Sequence, residues 1–415
     1  MSDDFQPENG GASPDRTRER AVGVVRALRA AGHEALFAGG CVRDHILGAS
    51  PVDYDVATSA LPEDVMALFD RTVAIGAAFG VVRVLVEDDE FEVATFRTEG
   101  GYSDGRHPDS VRWATAQEDV LRRDFTINGL LLDPLDGQGV VLDHVGGEAD
   151  LAAGLIRAIG DPTERFAEDK LRLLRAVRFA ARFDFTIEDA TWAAVLAGAA
   201  SITEVSTERI RDELERMWTQ SAPGPGLMLL ERSGLWPHVL PEIGDPARAV
   251  SRLADVGPLD AIVGWAVVAA ELDPAAATDL ARRMKLSSAN ARHLGEAATA
   301  LAALTQYRSL GTAQRKRVLR SAGGSTALTV ANLAGSAGQF PSEELAAAQA
   351  DRAVWTEIDL FPARLISGQD LIDGGFAPGP RFKRALDAVE DAQLEGADLD
   401  QSKAISLAMT HLEGP

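Results

Sequence analysis

Asp53 and Asp55 flank Tyr54 and follow nine residues behind the segment Gly39-Gly40-Cys41-Val42-Arg43-Asp44. A short apolar run, Ala35 to Ala38, leads into the glycine pair, and a helix-like segment starts near Cys41. Glycine admits backbone conformations that let N–H groups close on a phosphate, and a helix N-terminus favours the anion. On a strand, residues i and i+2 share a face, so the two carboxylates would stand roughly 6.6 Å apart along it. Hard oxygen ligands beside a phosphate cradle are what metal-assisted phosphoryl or nucleotidyl transfer requires.

Three further segments carry chemistry. In Phe91-Glu92-Val93-Ala94-Thr95-Phe96-Arg97 an acid interrupts an apolar strand. Glu92 is either the solvent face of an edge strand or a third carboxylate beside Asp53 and Asp55. In Arg122-Arg123-Asp124-Phe125-Thr126-Ile127-Asn128-Gly129 the paired arginines either start a solvated helix or reach a ribose or phosphate with their rigid forks. In Glu168-Asp169-Lys170-Leu171-Arg172-Leu173-Leu174-Arg175-Ala176-Val177-Arg178-Phe179, arginines recur every third residue after Asp169 with only apolar residues between them. On a helix this row forms a slanted cationic stripe. A helix so apolar is packed on most sides, so its stripe is expected to line a polar cleft rather than open water. Asp169 and Arg172 offer an acceptor and a fork of donors, the complement of one base edge. Arg175 and Arg178 suit a triphosphate.

The elements that must position these groups fall into two regimes. Arg16–Ala31 reads as a helix ended by Gly32. From Glu34 to about Val145 short strand-like runs follow: Ala35–Ala38, Asp53–Ala57, Thr72–Ile75, Val81–Glu87, Phe91–Arg97 and Val140–Asp143, with Pro62–Phe69 as a helix between them. Thr98–Ser110 is rich in Gly, Ser, Asp and Pro and reads as a mobile loop. Beyond about Leu151 strand signals almost vanish. The expected fold class is α+β: a small mixed sheet with helices, followed by an all-helical remainder.

The single cysteine, Cys41, excludes an intrachain disulfide and indicates a reducing compartment. No apolar run reaches membrane-spanning length, and residues 1–15 read as an acidic disordered tail rather than a targeting peptide. The expectation is a cytoplasmic protein with no membrane partner. A net charge of −22 opposes a scanning DNA binder, because phosphate contacts need Lys and Arg. Any RNA contact must therefore be local. Arg282-Arg283-Lys285, Arg315-Lys316-Arg317-Arg320 and Arg381-Lys383-Arg384 form a phosphate track only if they share a side.

With these motifs in place the chain closely resembles the tRNA nucleotidyltransferase/poly(A) polymerase family in its bacterial class II branch. The resemblance rests on GGCVRD with DYD, FEVATFR, RRDFTIN and ERFAEDKLRLLRAVRFAARF, with VSTERIRDEL similar to the neck helix. ISGQDL and PGPRFKRALDAVEDAQLEG are similar to the tail of CCA-adding members. It implies a polymerase-β-like nucleotidyltransferase head over residues 16–150 and a helical neck with the base-reading motif over 151–220. A helical body and tail binding tRNA would occupy 221–415. It further implies Asp53 and Asp55 as Mg²⁺ ligands, Gly40 and Arg43 as nucleotide-binding positions beside Gly39, and Arg123 as a contact to the incoming nucleotide. Asp169 and Arg172 would read the base of CTP or ATP, with Arg175 and Arg178 holding phosphates.

The implied reaction is CCA addition to the tRNA 3′ acceptor end from CTP and ATP, with pyrophosphate released. A poly(A) polymerase, a CC-only or A-only enzyme, and a catalytically silent RNA-binding protein are the alternatives. Two departures from the family pattern are Gly129, where many relatives carry alanine, and Lys170 between the base-reading pair.

Overall fold

The computed structural model describes residues 14–74, 79–100, 110–136 and 139–413. The expected tail therefore lies almost wholly outside the described residues, as do 101–109 of the expected loop. The chain divides into two compact units, residues 1–213 with 232–239, and residues 214–231 with 240–415.

The first unit opens with helix α1 (Pro14–Ala30). Its buried residues Ala21, Val24, Val25 and Leu28 recur at helical spacing, giving one apolar stripe. Gly32, at φ 93°, ends it, and the His33 N–H returns to the Leu28 carbonyl. The chain then builds β1 (Ala35–Ala38), α2 (Gly40–Ile46), β2 (Asp55–Thr58), α3 (Pro62–Leu68), β3 (Thr72–Val73), β4 (Val81–Val86) and β5 (Asp89–Thr95). After these come β6 (Arg97–Gly100), β7 (Ser110–Trp113), α4 (Ala116–Leu121), β8 (Leu130–Asp133) and β9 (Val140–Asp143). Seven strands form one mixed sheet in the order β3-β4-β5-β2-β1-β8-β9, with β2 and β5 parallel and the other pairs antiparallel. All four residues of the central β1 are buried. Leu36, Ala38, Ala57, Phe96, Ala116, Val120 and Leu131 form a core cluster of this unit. Each fully buried large apolar side chain there contributes roughly 1.5–3 kcal/mol.

Three expectations are corrected. The strand expected over Asp53–Ala57 begins at Asp55, because its ladder partner on β1 is Ala38 and the partner strand turns away at Gly39. Phe91–Arg97 is not one strand but the end of β5 and the start of β6, interrupted at Phe96. The ends of the expected loop Thr98–Ser110 belong to a two-stranded ladder, in which Arg97 pairs with Trp113 and Gly100 with Ser110. Strand β8 lies in the continuous apolar run after Gly129, which carries no alternation to mark it as a strand.

Helices dominate the rest of the first unit: α5 (Gly147–Ala153), α6 (Pro162–Glu168), α7 (Leu171–Phe183), α8 (Asp189–Gly198) and the first half of α9 (Thr207–Thr219). The minimal strands β10 (Leu155–Ile156) and β11 (Thr186–Ile187) pair in parallel. The second unit is helical. One of its clusters packs Leu304, Tyr307, Leu319, Ala331, Ala348 and Leu360, and another packs Ile366, Leu371, Ala385, Val389, Ala404, Ala408 and Leu412. Among the described residues no helix is long and apolar enough to cross a membrane.

Candidate active site

The glycine turn is built as its residue types require. Gly39 adopts φ 71° and ψ −122° as the N-cap of α2, a conformation that side-chain-bearing residues avoid. Its N–H donates to the Leu130 carbonyl, which fixes the turn to β8. A Cβ at Gly39 would stand 3.1 Å from Nη1 of Arg123, so the missing side chain is also what admits that guanidinium. The N–H groups of Gly40, Cys41 and Val42 precede the first intrahelical bond of α2, which runs from the Arg43 N–H to the Gly39 carbonyl.

Asp55 opens β2 beside this turn. Tyr54 is buried against Phe37, with ring centroids 5.1 Å apart, while Asp53 and Asp55 on either side of it are exposed. Asp53 precedes the ladder. Glu92 lies on β5, an interior strand between β4 and β2, and not on an edge. The parallel register aligns Val56 with Val93, so Asp55 and Glu92 stand one step earlier on the same face. The Asp55 carboxyl is pushed up to about 6, first by partial loss of water around it and then by the nearby charges of Glu92 and Asp53. Arg123 opposes this shift. Among the described residues no group of three or more His, Cys, Asp and Glu side chains is placed to hold one ion, so the three acids do not form a three-carboxylate ligand cluster here. Two crowded carboxylates that repel each other fit a divalent cation whose remaining ligands are waters and substrate phosphates.

The segment after α4 brings its polar groups to the same turn. Asp119 is buried and each of its oxygens accepts one guanidinium: Oδ1 takes Arg122 and Oδ2 takes Arg123. Arg43, expected at the nucleotide, is 4 % exposed. It donates to Asp44 and to Oδ1 of Asn128, and it lies over the Phe183 ring at 4.6 Å. Burial lowers its pKa although Asp44 opposes this. Its fork is committed inside the protein, where it braces the helix that carries the glycine turn. Gly129 is closely packed: a Cβ there would meet Val145 at 2.8 Å and Ile159 at 3.0 Å.

The cationic stripe of α7 is not a solvated face. Arg172 is buried and donates to Glu168 and to the carbonyls of Arg165 and Arg122. Arg175 grips Oδ2 of Asp124 at 2.6 and 2.9 Å, and Arg178 donates to Oε2 of Glu213 at 2.5 Å. The Phe179 ring lies beneath both, 5.0 Å from the Arg175 guanidinium and 4.1 Å from that of Arg178. Asp124 also accepts from Asn128. Burial alone would raise the Asp124 carboxyl, but Arg175 and the Asn128 amide hold it down to about 2. The expected pair Asp169 and Arg172 are joined only through the backbone, the Arg172 N–H donating to the Asp169 carbonyl at 3.0 Å, while their side chains engage other partners. Asp169 is bound by both terminal nitrogens of Arg209 at 2.7 and 3.1 Å.

Asp119, Asp124, Asn128, Arg209 and Glu213 are thus site residues that motif reading passed over. Asp124 and Asn128 lie inside RRDFTIN, and Arg209 and Glu213 inside VSTERIRDEL. Their partners, however, sit 35 to 85 residues away in sequence, apart from the local Asp124–Asn128 bond.

The basic clusters expected to form a phosphate track are largely neutralised within the second unit. Arg315 pairs with Asp351, Arg317 with Glu390 and Asp391, Arg320 with Glu390, Arg283 with Glu242 and Arg282 with Asp279. Lys316 is buried and donates to the Leu394 carbonyl. Arg315, Lys316, Arg317 and Arg320 are thus engaged within their own unit, whereas Lys383 and Arg384 are exposed on the helix Pro380–Leu394.

Known proteins resemble this chain along nearly its whole length. A family described as the poly(A) polymerase head domain matches residues 35–157, and one described as a probable RNA and SrmB-binding site of polymerase A matches residues 184–255. A CCA-adding enzyme of Levilactobacillus brevis is 34% identical over 400 residues, 94% of this chain and 97% of that protein. A CCA-adding enzyme of Geobacillus kaustophilus is 35% identical over 380 residues, 89% of this chain and 91% of that protein. Among solved structures, the Bacillus stearothermophilus CCA-adding enzyme in complex with CTP aligns with a TM-score of 0.76 at 29% identity, covering 97% of this chain and 98% of that one.

Proposed function

The chain belongs to the family of CCA-adding enzymes, and from that premise we propose a reaction and an assignment of its residues. It is a tRNA nucleotidyltransferase that adds CCA to the 3′ end of tRNA from CTP and ATP, releasing pyrophosphate, and it works in the cytoplasm. The observation that carries the assignment is the meeting of three groups at one turn: the open Gly39–Gly40 backbone, the Arg123 guanidinium and the crowded Asp55 carboxylate.

Asp53 and Asp55 would hold a divalent metal ion, which we assign as Mg²⁺. Glu92 stands beside them as a charge on the same face. Bound there, the ion supplies positive charge that eases deprotonation of the attacking 3′-hydroxyl and neutralises the triphosphate. The protein's own residues hold and orient. The N–H groups from Gly40 onward and Nη1 of Arg123 donate to phosphate oxygens. Asp169 and Arg172 meet the base edge, where cytosine and adenine both offer an exocyclic amine and a ring-nitrogen acceptor. Arg175 and Arg178 act through Asp124 and Glu213, keeping α7 in register with the nucleotide site. Residues 16–150 serve as the catalytic head, 151–220 as the neck that reads the base, and 221–415 as the body and tail that bind tRNA.

The test is incorporation of labelled CTP and ATP on tRNA lacking its 3′ end. Two C followed by one A is expected. A run of A on any RNA overturns CCA addition in favour of poly(A) synthesis, and C or A alone assigns a partial activity.

A further inference from the structure

One buried carboxylate organises the segment that carries Arg123. Asp119 is 2 % exposed and accepts from two guanidinium groups and one backbone N–H. Oδ1 accepts Nε and Nη2 of Arg122 at 2.9 and 2.7 Å, and the Arg97 backbone N–H at 3.2 Å. Oδ2 accepts Nε and Nη2 of Arg123 at 3.3 and 2.9 Å. Two planar forks thus share one carboxylate, each through the same edge, and the Arg97 N–H ties in the first strand of the β6–β7 ladder.

The consequence lies at the other corner of the Arg123 fork. With Nε and Nη2 engaged, Nη1 is directed at the Gly39 turn, 3.1 Å from where a Gly39 Cβ would stand, and Arg123 acts on the charge of Asp55. Arg122 is held from a second side: its carbonyl accepts Nη2 of Arg172, and the Leu121 carbonyl accepts Nη2 of Arg165. The backbone from 121 to 123 is therefore clamped between Asp119 and the arginines of α6 and α7.

We propose that Asp119 is a positioning residue for nucleotide binding: it aims Arg123 at the triphosphate and links that aim to Arg172 at the base. The proposal rests on the function assigned above, in which Arg123 contacts the incoming nucleotide. Asp119 touches no substrate. It removes the rotamer freedom of two long side chains before the nucleotide arrives, which lowers the ordering cost of binding. Because the Arg123 contact is to phosphate, the effect is the same for CTP and ATP.

The experiment measures CTP and ATP binding and steady-state kinetics on the full-length enzyme. Asp119→Asn keeps the shape but presents an amide donor to one guanidinium. KM for CTP and ATP is expected to rise about tenfold alike, with kcat within about threefold and affinity for tRNA unchanged. Asp119→Glu, which restores the charge, recovers most of the loss. Arg123→Lys, which lacks the fork, reproduces it, and the double variant Asp119→Asn/Arg123→Lys is no worse than either single change. Wild-type KM in Asp119→Asn, or additive losses in the double variant, overturns the proposal. If Asp119→Asn does not fold, Asp119→Glu and Arg123→Lys carry the same test: no KM rise in Arg123→Lys overturns it. Failure of the wild-type enzyme to bind CTP at all would instead overturn the assigned function.

Discussion

Replacing Asp55 by Asn separates what the site needs for chemistry from what the fold tolerates. In the metal-free protein the Asp55 carboxyl is held near 6, against an ordinary 3.8, by partial dehydration and by Glu92 and Asp53. A carboxyl raised on folding destabilises the native state once ionised. Its unfolded form gives up its proton near pH 4 and its folded form only near pH 6, so stability falls across that window and stays lowered above it. The shift from 3.8 to about 6 corresponds to about 3 kcal/mol for a fully shielded group. Because the side chain reaches solvent, screening brings this to on the order of 1 kcal/mol.

Asp55→Asn is therefore expected to stabilise the metal-free enzyme by about 1 kcal/mol at pH 7.5. That is a rise of roughly 2–4 °C in melting temperature for a unit of this size. The gain should shrink as the pH falls from 6 toward 4, and CTP incorporation should be abolished. Mg²⁺ should raise the melting temperature of the wild type more than that of the variant, since a ligand stabilises only the state that binds it. The assay is differential scanning calorimetry at two pH values, with and without Mg²⁺, alongside incorporation of labelled CTP. A variant less stable than the wild type at pH 7.5 would refute the crowding, and one with the same Mg²⁺-dependent shift would refute the metal assignment.

Asp124→Asn has the opposite sign. The folded carboxyl sits at about 2, so its stabilisation of about 2 kcal/mol is present above pH 4 and is lost as the pH falls toward 2; urea unfolding should show the variant weaker at pH 7 and the difference closing in acid. Gly39→Ala forces a side chain into φ 71° against Arg123, costing about 1–3 kcal/mol and weakening CTP binding, and unchanged affinity in a calorimetric titration would contradict the close approach. Cys41 is buried and its thiol is pushed up to about 12, first by burial and then by Asp55. Iodoacetamide should leave it unmodified in the native enzyme and label it in urea, and equal labelling rates by mass spectrometry would disprove the burial.

Much of the site was legible from residue type and spacing. Gly39–Gly40 before a helix start, Asp53 and Asp55 around the inward Tyr54, and an apolar helix interrupted by Arg172, Arg175 and Arg178 are local patterns. Chain geometry alone places such residues on a shared face or turn. The switch from short strands to helices near residue 151 was equally local and marked where the mixed sheet ends.

Only the tertiary structure decided which charges meet. Arg175 finds Asp124 across 51 residues, Arg178 finds Glu213 across 35, and Asp169 is held by Arg209 across 40. The same is true of Glu92, whose place beside Asp55 depends on the parallel pairing of β2 with β5. The basic cluster at 315–320, which reads as surface in one dimension, is matched to acids on other helices, and Arg283 to Glu242 across 41 residues. The physical reason is common to all of them. Spacing along a strand or helix fixes the direction in which a side chain points, whereas an ion pair needs two elements brought within about 3 Å, and that is set by how their apolar faces pack.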